Sequence, residues 1–165
     1  MKYFFSLIIF LCLACAPKTL HHSGPNREPP QDSKEITILA TSDFHGSLDR
    51  AEAFANTIEQ LRAKYGPNVL HFDGGDLSQG QLEVNLSKGR PIVDLYNYLH
   101  VDAAAIGNHD LDYGPEALDR VEPRKSEDPI GNLRARVRSA KFKWLSANFV
   151  HKRSRKPVFS GTAVF

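Results

Sequence analysis

Three short polar segments of the sequence carry side chains of the types that hold divalent metal ions. Each follows an apolar run. The spacing is nearly even, with 33 residues separating the aspartates of the first two segments and 32 separating the second aspartate from the asparagine of the third. Aspartate, asparagine and histidine supply the oxygen and imidazole ligands that suit manganese, zinc or iron better than thiolate-loving metals. The segments are Asp43-Phe44-His45, Gly75-Asp76 and Gly107-Asn108-His109-Asp110.

The residues of these segments can be divided between two metal ions. Two divalent ions about 3.5–4 Å apart need a shared anionic ligand, and the two carboxylate oxygens of Asp76 can bridge them. Asp43 and His45, two residues apart in a turn, can converge on one ion, while Asn108 can offer a neutral carbonyl oxygen to the other. Bridged metals lower the pKa of a bound water and aim hydroxide at phosphorus. The pattern therefore predicts a two-metal site that can activate water for hydrolysis.

His109 and Asp112 add a second chemical feature, because they stand three residues apart at the entrance to a predicted helix. Asp112 can orient and charge His109, which can then stabilise developing charge or protonate the leaving oxygen. Turn chemistry is the alternative for Asp43, Asp76 or Asn108 taken singly, since Asp, Asn and Gly are favoured in turns. The whole set, in order and after successive strands, favours a site.

The elements that must position these segments alternate between strand and helix. Apolar and β-branched runs predict strands at Ile36–Thr41, Val69–Phe72, Ala103–Ile106 and Lys143–Ala147, with a further strand or hairpin over Val158–Phe165. Helical spacing predicts a helix from a Ser47 cap to Gly66, one beginning at Pro91, a short one over Pro115–Val121 and one over Ile130–Ala140. This alternation predicts a mainly parallel α/β sheet, in which polar residues just past the strand ends line one site.

The N-terminus has the pattern of an export signal. Residues 1–14 combine the positive charge of Lys2 with an apolar run that is too short to span a membrane. The following Cys15 resembles the lipid-accepting cysteine of bacterial lipoproteins, which implies cleavage before it and a lipid anchor in the membrane. Ordinary cleavage near Ala14 or Ala16, giving a soluble periplasmic or secreted protein, is the alternative. Residues 15–34, rich in proline, are predicted to be a disordered tether, which leaves residues 35–165 as the folded region.

Composition excludes several classes of protein. Of the 165 residues, 41% are hydrophobic and 24% are charged, values typical of a globular domain rather than a collagen-like or wholly disordered chain. Both cysteines, Cys12 and Cys15, precede the predicted folded region, so no disulfide is expected in the folded part. A formal net charge of +2 does not predict a nucleic-acid partner. The basic stretch 124–156 is interpreted as a solvated surface, with an anionic partner as the alternative.

Four motifs resemble those of the calcineurin-like metallophosphoesterases, in particular the bacterial 5′-nucleotidase and cyclic-nucleotide phosphodiesterase branch. The resemblance implies the N-terminal part of a four-layer α/β/β/α sandwich that binds two divalent metal ions. It also implies that Asp43, His45, Asp76 and Asn108 are metal ligands, with Asp76 bridging, and that His109 and Asp112 are the catalytic dyad. The motifs are Thr41–Gly46, Asp73–Gly80, Ile106–Gly114 and Leu145–Asn148.

The sequence also departs from that family, which completes its metal sites with further histidines downstream. Only His151 follows His109 here, and it lacks the flanking glycine of the family's motif. We therefore expect residues 35–165 to be a partial domain in a truncated chain. The expected function is an exported two-metal hydrolase of 5′-nucleotidase type, acting on a nucleotide or another small phosphoester. The alternatives are a non-catalytic lipoprotein remnant and a related two-metal hydrolase acting on a non-nucleotide ester.

Overall fold

The computed structural model describes residues 35–116 and 127–165, which lie within one compact unit, Glu35–Phe165. The export signal predicted over residues 1–14, the acceptor Cys15 and the tether over residues 15–34 lie outside the described residues. So does most of the short helix predicted at Pro115–Val121. No helix in the described part of the chain combines the length and apolar character needed to cross a membrane.

Four parallel strands form a single sheet in the described residues, in the order β1-β2-β3-β4. The strands are β1 (Thr37–Thr41), β2 (Val69–Asp73), β3 (Ala103–Ala105) and β4 (Lys143–Leu145). The connecting helices are α1 (Ala51–Tyr65), α2 (Leu82–Leu86), α3 (Arg90–Tyr98) and α4 (Gly131–Ser139), with 3-10 turns at Leu48–Arg50 and His109–Leu111. The predicted parallel α/β architecture is confirmed. A strand order that advances in one direction keeps right-handed crossovers on one face of the sheet.

The two faces of the sheet differ in how well they are covered. Alternate residues of β2, namely Val69, His71 and Asp73, are buried on the face where the helices pack. On the other face Ile38 is 61% exposed, and Ile36 just before the strand is 60% exposed. Two packed layers are therefore present in the described residues. The buried apolar core includes Leu77, Val84, Ile92, Val93, Tyr96, Leu133, Phe142 and Trp144.

The predicted helix boundaries hold at one end of α1 and fail at the other. Gly66 ends the helix with a positive φ of +78°, a conformation that glycine adopts readily because it lacks a Cβ atom. Ser47, however, makes no side-chain capping bond, so the prediction that it caps the helix is wrong. The side chain of Gln81 instead accepts the backbone N–H of Leu48 at 3.0 Å. A residue remote in sequence has taken over the local capping role.

The C-terminal segment does not form the predicted strand or hairpin over Val158–Phe165. Within it only Ser160 pairs, in an isolated parallel bridge with Leu145, and Pro157 just before it makes an isolated antiparallel bridge with Val150. Proline has no N–H to donate to a ladder, which limits pairing at that position. The segment still contributes packing, since the ring of Phe165 lies 5.2 Å from that of Phe72, centroid to centroid.

His71 occupies the centre of β2 and is fully buried. The single hydroxyl proton of Thr41 is donated to Oδ2 of Asp73 at 2.5 Å, so the same hydroxyl oxygen accepts from Nε2–H of His71 at 2.9 Å. Nδ1 is therefore the unprotonated nitrogen, and it has no hydrogen-bond partner. Burial lowers the pKa of His71, outweighing the opposing effect of nearby Asp73. His71 is held neutral in the fold.

Acidification is expected to destabilise the domain through His71. Below the ordinary histidine pKa of about 6.5, His71 binds a proton in the unfolded chain but not in the folded one. The free energy of unfolding therefore decreases as the pH is lowered. The slope contributed by this one proton is at most about 1.4 kcal/mol per pH unit. The loss ends once the pH falls below the lowered pKa of the folded protein. Urea unfolding at pH 7.5, 6.5 and 5.5 measures it.

His71→Gln keeps a side-chain N–H near Thr41 but removes the titrating group, so its unfolding should depend less on pH than that of the wild type. His151→Gln is the control, because His151 is exposed in a turn. The wild-type minus variant difference also removes the opposing contribution of His109, whose pKa is raised. Equal pH dependence in wild type and His71→Gln would contradict the prediction.

Candidate metal centre

The carboxyl ends of β1 and β2 bring together three of the predicted metal ligands. Asp43, His45 and Asp76 each offer a ligand atom, and these atoms all lie within 4.8 Å of one another. Nε2 of His45 lies 3.6 Å from Oδ1 of Asp43. All three residues remain partly or fully accessible to solvent. The structure therefore places this part of the predicted ligand set in one cluster.

The backbone that presents these side chains is interlocked and locally strained. Asp43, His45 and Asp76 all have positive φ, at 57°, 47° and 57°. The N–H of Asp43 donates to the carbonyl of Gly75 at 3.0 Å, and the N–H of His45 donates to the carbonyl of Asp76 at 3.0 Å. Non-glycine residues keep such conformations only where the surroundings over-determine them, typically at functional sites. The two loops thus fix each other.

The third segment joins the cluster through Asp76. The backbone N–H of His109 donates to Oδ1 of Asp76 at 2.8 Å, and the rings of His45 and His109 lie 5.2 Å apart. No described residue donates a hydrogen bond to the other oxygen of Asp76. The carboxylate is therefore oriented by one bond and retains lone pairs for a cation.

The predicted pairing of His109 with Asp112 is present. Nδ1 of His109 lies 2.8 Å from Oδ2 of Asp112. A carboxylate only accepts, so Nδ1 carries a proton, and Nε2 makes no hydrogen bond to another described residue. The hydrogen bond to Asp112 raises the pKa of His109. Both side chains are partly exposed, at 38% and 45%.

Asn108 lies next to His109 but is not drawn into the cluster by any hydrogen bond of its side chain within the described residues. It is exposed, and its backbone carbonyl accepts the N–H of Leu111 at 3.2 Å. Its role as a ligand stays a prediction. His151 lies in an exposed turn, where its N–H donates to the carbonyl of Lys156 at 2.9 Å.

Two buried carboxylates behind the cluster escaped the sequence analysis. Asp73 accepts the N–H of Gly75 at 2.8 Å and the hydroxyl of Tyr96 at 3.0 Å. Asp110 accepts four hydrogen bonds from the loops after β2 and β3. Both residues stood within motifs already noted. The sequence does not indicate which donors form hydrogen bonds to these two carboxylates in the folded chain.

Residues 36–158 match the family described as calcineurin-like phosphoesterase. The chain therefore belongs to the calcineurin-like phosphoesterase family, whose members use divalent metals. The Asp43, His45 and Asp76 cluster is the candidate group for such metals in this chain.

The relatives of the chain include 5′-nucleotidases. It is 31% identical to protein UshA of Salmonella pullorum over 141 residues, covering 79% of this chain and 23% of the relative. It is 32% identical to the rat 5′-nucleotidase over 151 residues, covering 81% and 23%. The crystal structure of the calcineurin-like phosphoesterase YfkN from Bacillus subtilis matches with a TM-score of 0.54 and 26% identity, covering 76% of this chain and 40% of that one. The chain thus spans about a quarter of the length of the curated relatives it matches.

Proposed function

We propose that this chain provides a divalent metal centre and a proton-donating histidine for hydrolysis of a nucleotide or another small phosphoester. The observation that carries the proposal is the convergence of Asp43, His45 and Asp76 within 4.8 Å, with the His109–Asp112 pair beside them. The similarity to 5′-nucleotidases supports the substrate class.

The donor set fits a divalent ion. Two carboxylates and one imidazole suit manganese, zinc or iron. Two atoms that bind one such ion at about 2.1 Å lie at most about 4.2 Å apart, so the cluster needs little adjustment to close around it. Asp43 and His45 would hold one ion, and Asp76 would be shared with a second ion that Asn108 also binds. When bound, the metals supply Lewis acidity toward a phosphoryl oxygen and activate water.

The remaining chemistry belongs to His109. Asp112 fixes the ring through Nδ1 and raises the pKa of the imidazole. His109 therefore keeps its second ring proton to a higher pH than an isolated imidazole does. Nε2, which makes no hydrogen bond to another described residue, would carry the second ring proton and donate it to the leaving oxygen. Asp112 acts by orienting the ring and by stabilising its positive charge.

Hydrolysis of a generic aryl phosphate by the 165-residue chain in the presence of Mn²⁺ tests the proposal. Wild type is expected to be active, and His109→Ala to be about 10²- to 10⁴-fold slower while still binding Mn²⁺. His151→Ala, in an exposed turn, is the matched control and should keep wild-type activity. A wild-type chain that binds Mn²⁺ without hydrolysing the ester would instead make it a non-catalytic metal-binding remnant, and absence of Mn²⁺ binding would overturn the proposal entirely.

We also propose that the chain is exported and carries lipid on Cys15. The support is the sequence pattern alone, in which a charged Lys2 and an apolar run over Phe4–Ala14 precede that cysteine. Cleavage near Ala14 or Ala16 without lipid is the alternative. Labelling cells with a radioactive fatty acid distinguishes the two, because only a lipoprotein is labelled in the wild type and loses the label in Cys15→Ser.

A further inference from the structure

Asp110 is a buried carboxylate that joins the loop after β2 to the loop after β3. It is 2% exposed. Its Oδ2 accepts the backbone N–H groups of Asp76 at 3.1 Å and Gly107 at 2.9 Å. Its Oδ1 accepts the N–H of Leu77 at 3.1 Å and the hydroxyl of Ser78 at 2.9 Å. The four donors match the roughly four lone-pair sites of a carboxylate.

This arrangement requires both side-chain oxygens of residue 110 to accept hydrogen bonds. Asp110 has no basic ion-pair partner among the described residues, so its hydrogen bonds alone offset the cost of burying it. Burial raises the pKa of Asp110, while the bonds from Gly107, Ser78, Leu77 and Asp76 oppose that rise. An asparagine of the same shape would turn an NH₂ group toward two donors and leave them unsatisfied.

Asp76 is therefore held from two directions by the segment that follows β3. Asp110 takes its backbone N–H, and the backbone of His109 donates to its Oδ1 at 2.8 Å. These contacts support a residue whose φ of 57° is uncommon for aspartate. The backbone angles of Asp76 determine where its carboxylate lies relative to Asp43 and His45. Losing the hydrogen bonds to Asp110 would allow the carboxylate of Asp76 to move away from Asp43 and His45.

We propose that Asp110 is a positioning residue for the metal centre. It holds Asp76 and the turn that carries His109 in the geometry that binds metal, and it touches neither metal nor substrate. The proposal rests on the proposed role of Asp76 as a ligand. It differs from a purely structural role because it places the effect of Asp110 on metal affinity and ligand geometry, beyond any effect on stability.

Asp110→Asn and Asp102→Asn form a matched pair around β3. Asp102 stands at the amino end of that strand, away from the cluster, and accepts the N–H of His71 at 2.7 Å. Mn²⁺ titration followed by electron paramagnetic resonance gives the affinity and the symmetry of the bound ion, and urea unfolding gives the stability. Asp110→Asn is expected to weaken Mn²⁺ binding about 10- to 100-fold and to alter the spectrum. Asp102→Asn is expected to lose stability while keeping the wild-type affinity and spectrum.

A folded Asp110→Asn with wild-type affinity and spectrum would overturn the proposal, as would an equal loss of affinity in Asp102→Asn. If Asp110→Asn does not fold, Ser78→Ala decides, because it removes one of the four donors and keeps the carboxylate. A several-fold weaker affinity in Ser78→Ala supports the proposal, and an unchanged affinity overturns it. Failure of the wild type to bind Mn²⁺ would instead overturn the proposed metal centre. Failure of the positioning role of Asp110 and failure of the metal centre therefore give different results.

Discussion

Asp76→Asn is expected to weaken Mn²⁺ binding by at least about 100-fold. Losing a residue that only supports a metal ligand costs up to about 100-fold in affinity, and losing a ligand should cost at least as much. The substitution removes a negative charge from the centre of the cluster and replaces one possible ligand oxygen by an NH₂ group. The fold should tolerate it, because the remaining carbonyl oxygen can still accept the N–H of His109 that Oδ1 accepts now. Affinity and stability therefore separate in this variant.

Calorimetric titration with Mn²⁺ and urea unfolding without metal measure the two quantities. Asp94→Asn is the matched control, since Asp94 is an exposed carboxylate on α3 that pairs with Arg90 at 4.0 Å. It removes the same charge from the chain and should leave the affinity unchanged. If both variants bind Mn²⁺ as the wild type does, the ion is held elsewhere and the proposed ligand set is wrong.

Strands β1, β2 and β3 could be predicted from sequence because each apolar run ends at a Gly- or Asp-containing turn. Even Ala103–Ala105, which has weak strand propensity, forms β3, since pairing with β2 and β4 supplies what its side chains lack. The five-residue helix α2 was not predicted, because so short a segment shows no helical period. The segment Val158–Phe165, predicted as a strand or hairpin, makes only one isolated bridge, between Ser160 and Leu145.

The cluster of Asp43, His45 and Asp76 could be predicted because the topology of the parallel sheet brings these residues together. Parallel strands deliver their carboxyl ends to one edge of a sheet, so polar residues just past those ends meet whatever the details of packing. The supports of the cluster follow no such rule. Gln81 displaces Ser47 as the cap near Leu48, and Asp110 collects donors more than 30 residues away. These partners depend on where the folded backbone leaves an N–H group, which only the structure reveals.

Gly107→Ala is expected to disrupt the same centre by steric overlap. A Cβ atom at Gly107 would lie 2.6 Å from Cγ of Asp76 and closer still to its Oδ1 and backbone N. Asp76 cannot move aside easily, because Asp110 and His109 hold it. We expect a loss of about 2–3 kcal/mol in the free energy of unfolding. Mn²⁺ affinity should fall by at least about 100-fold, since the clash falls on Asp76, the proposed ligand.

Gly66→Ala provides the opposite case and the control. Gly66 has φ +78°, yet no atom lies within 4 Å of the Cβ it would gain. That variant should lose about 1–3 kcal/mol from backbone strain alone and keep its metal affinity. Gly107 does not have a left-handed φ, so the need for glycine there comes from crowding against Asp76. Wild-type Mn²⁺ affinity in Gly107→Ala would mean that the loops after β2 and β3 can separate without affecting the site, and the close packing between them would have no part in metal binding.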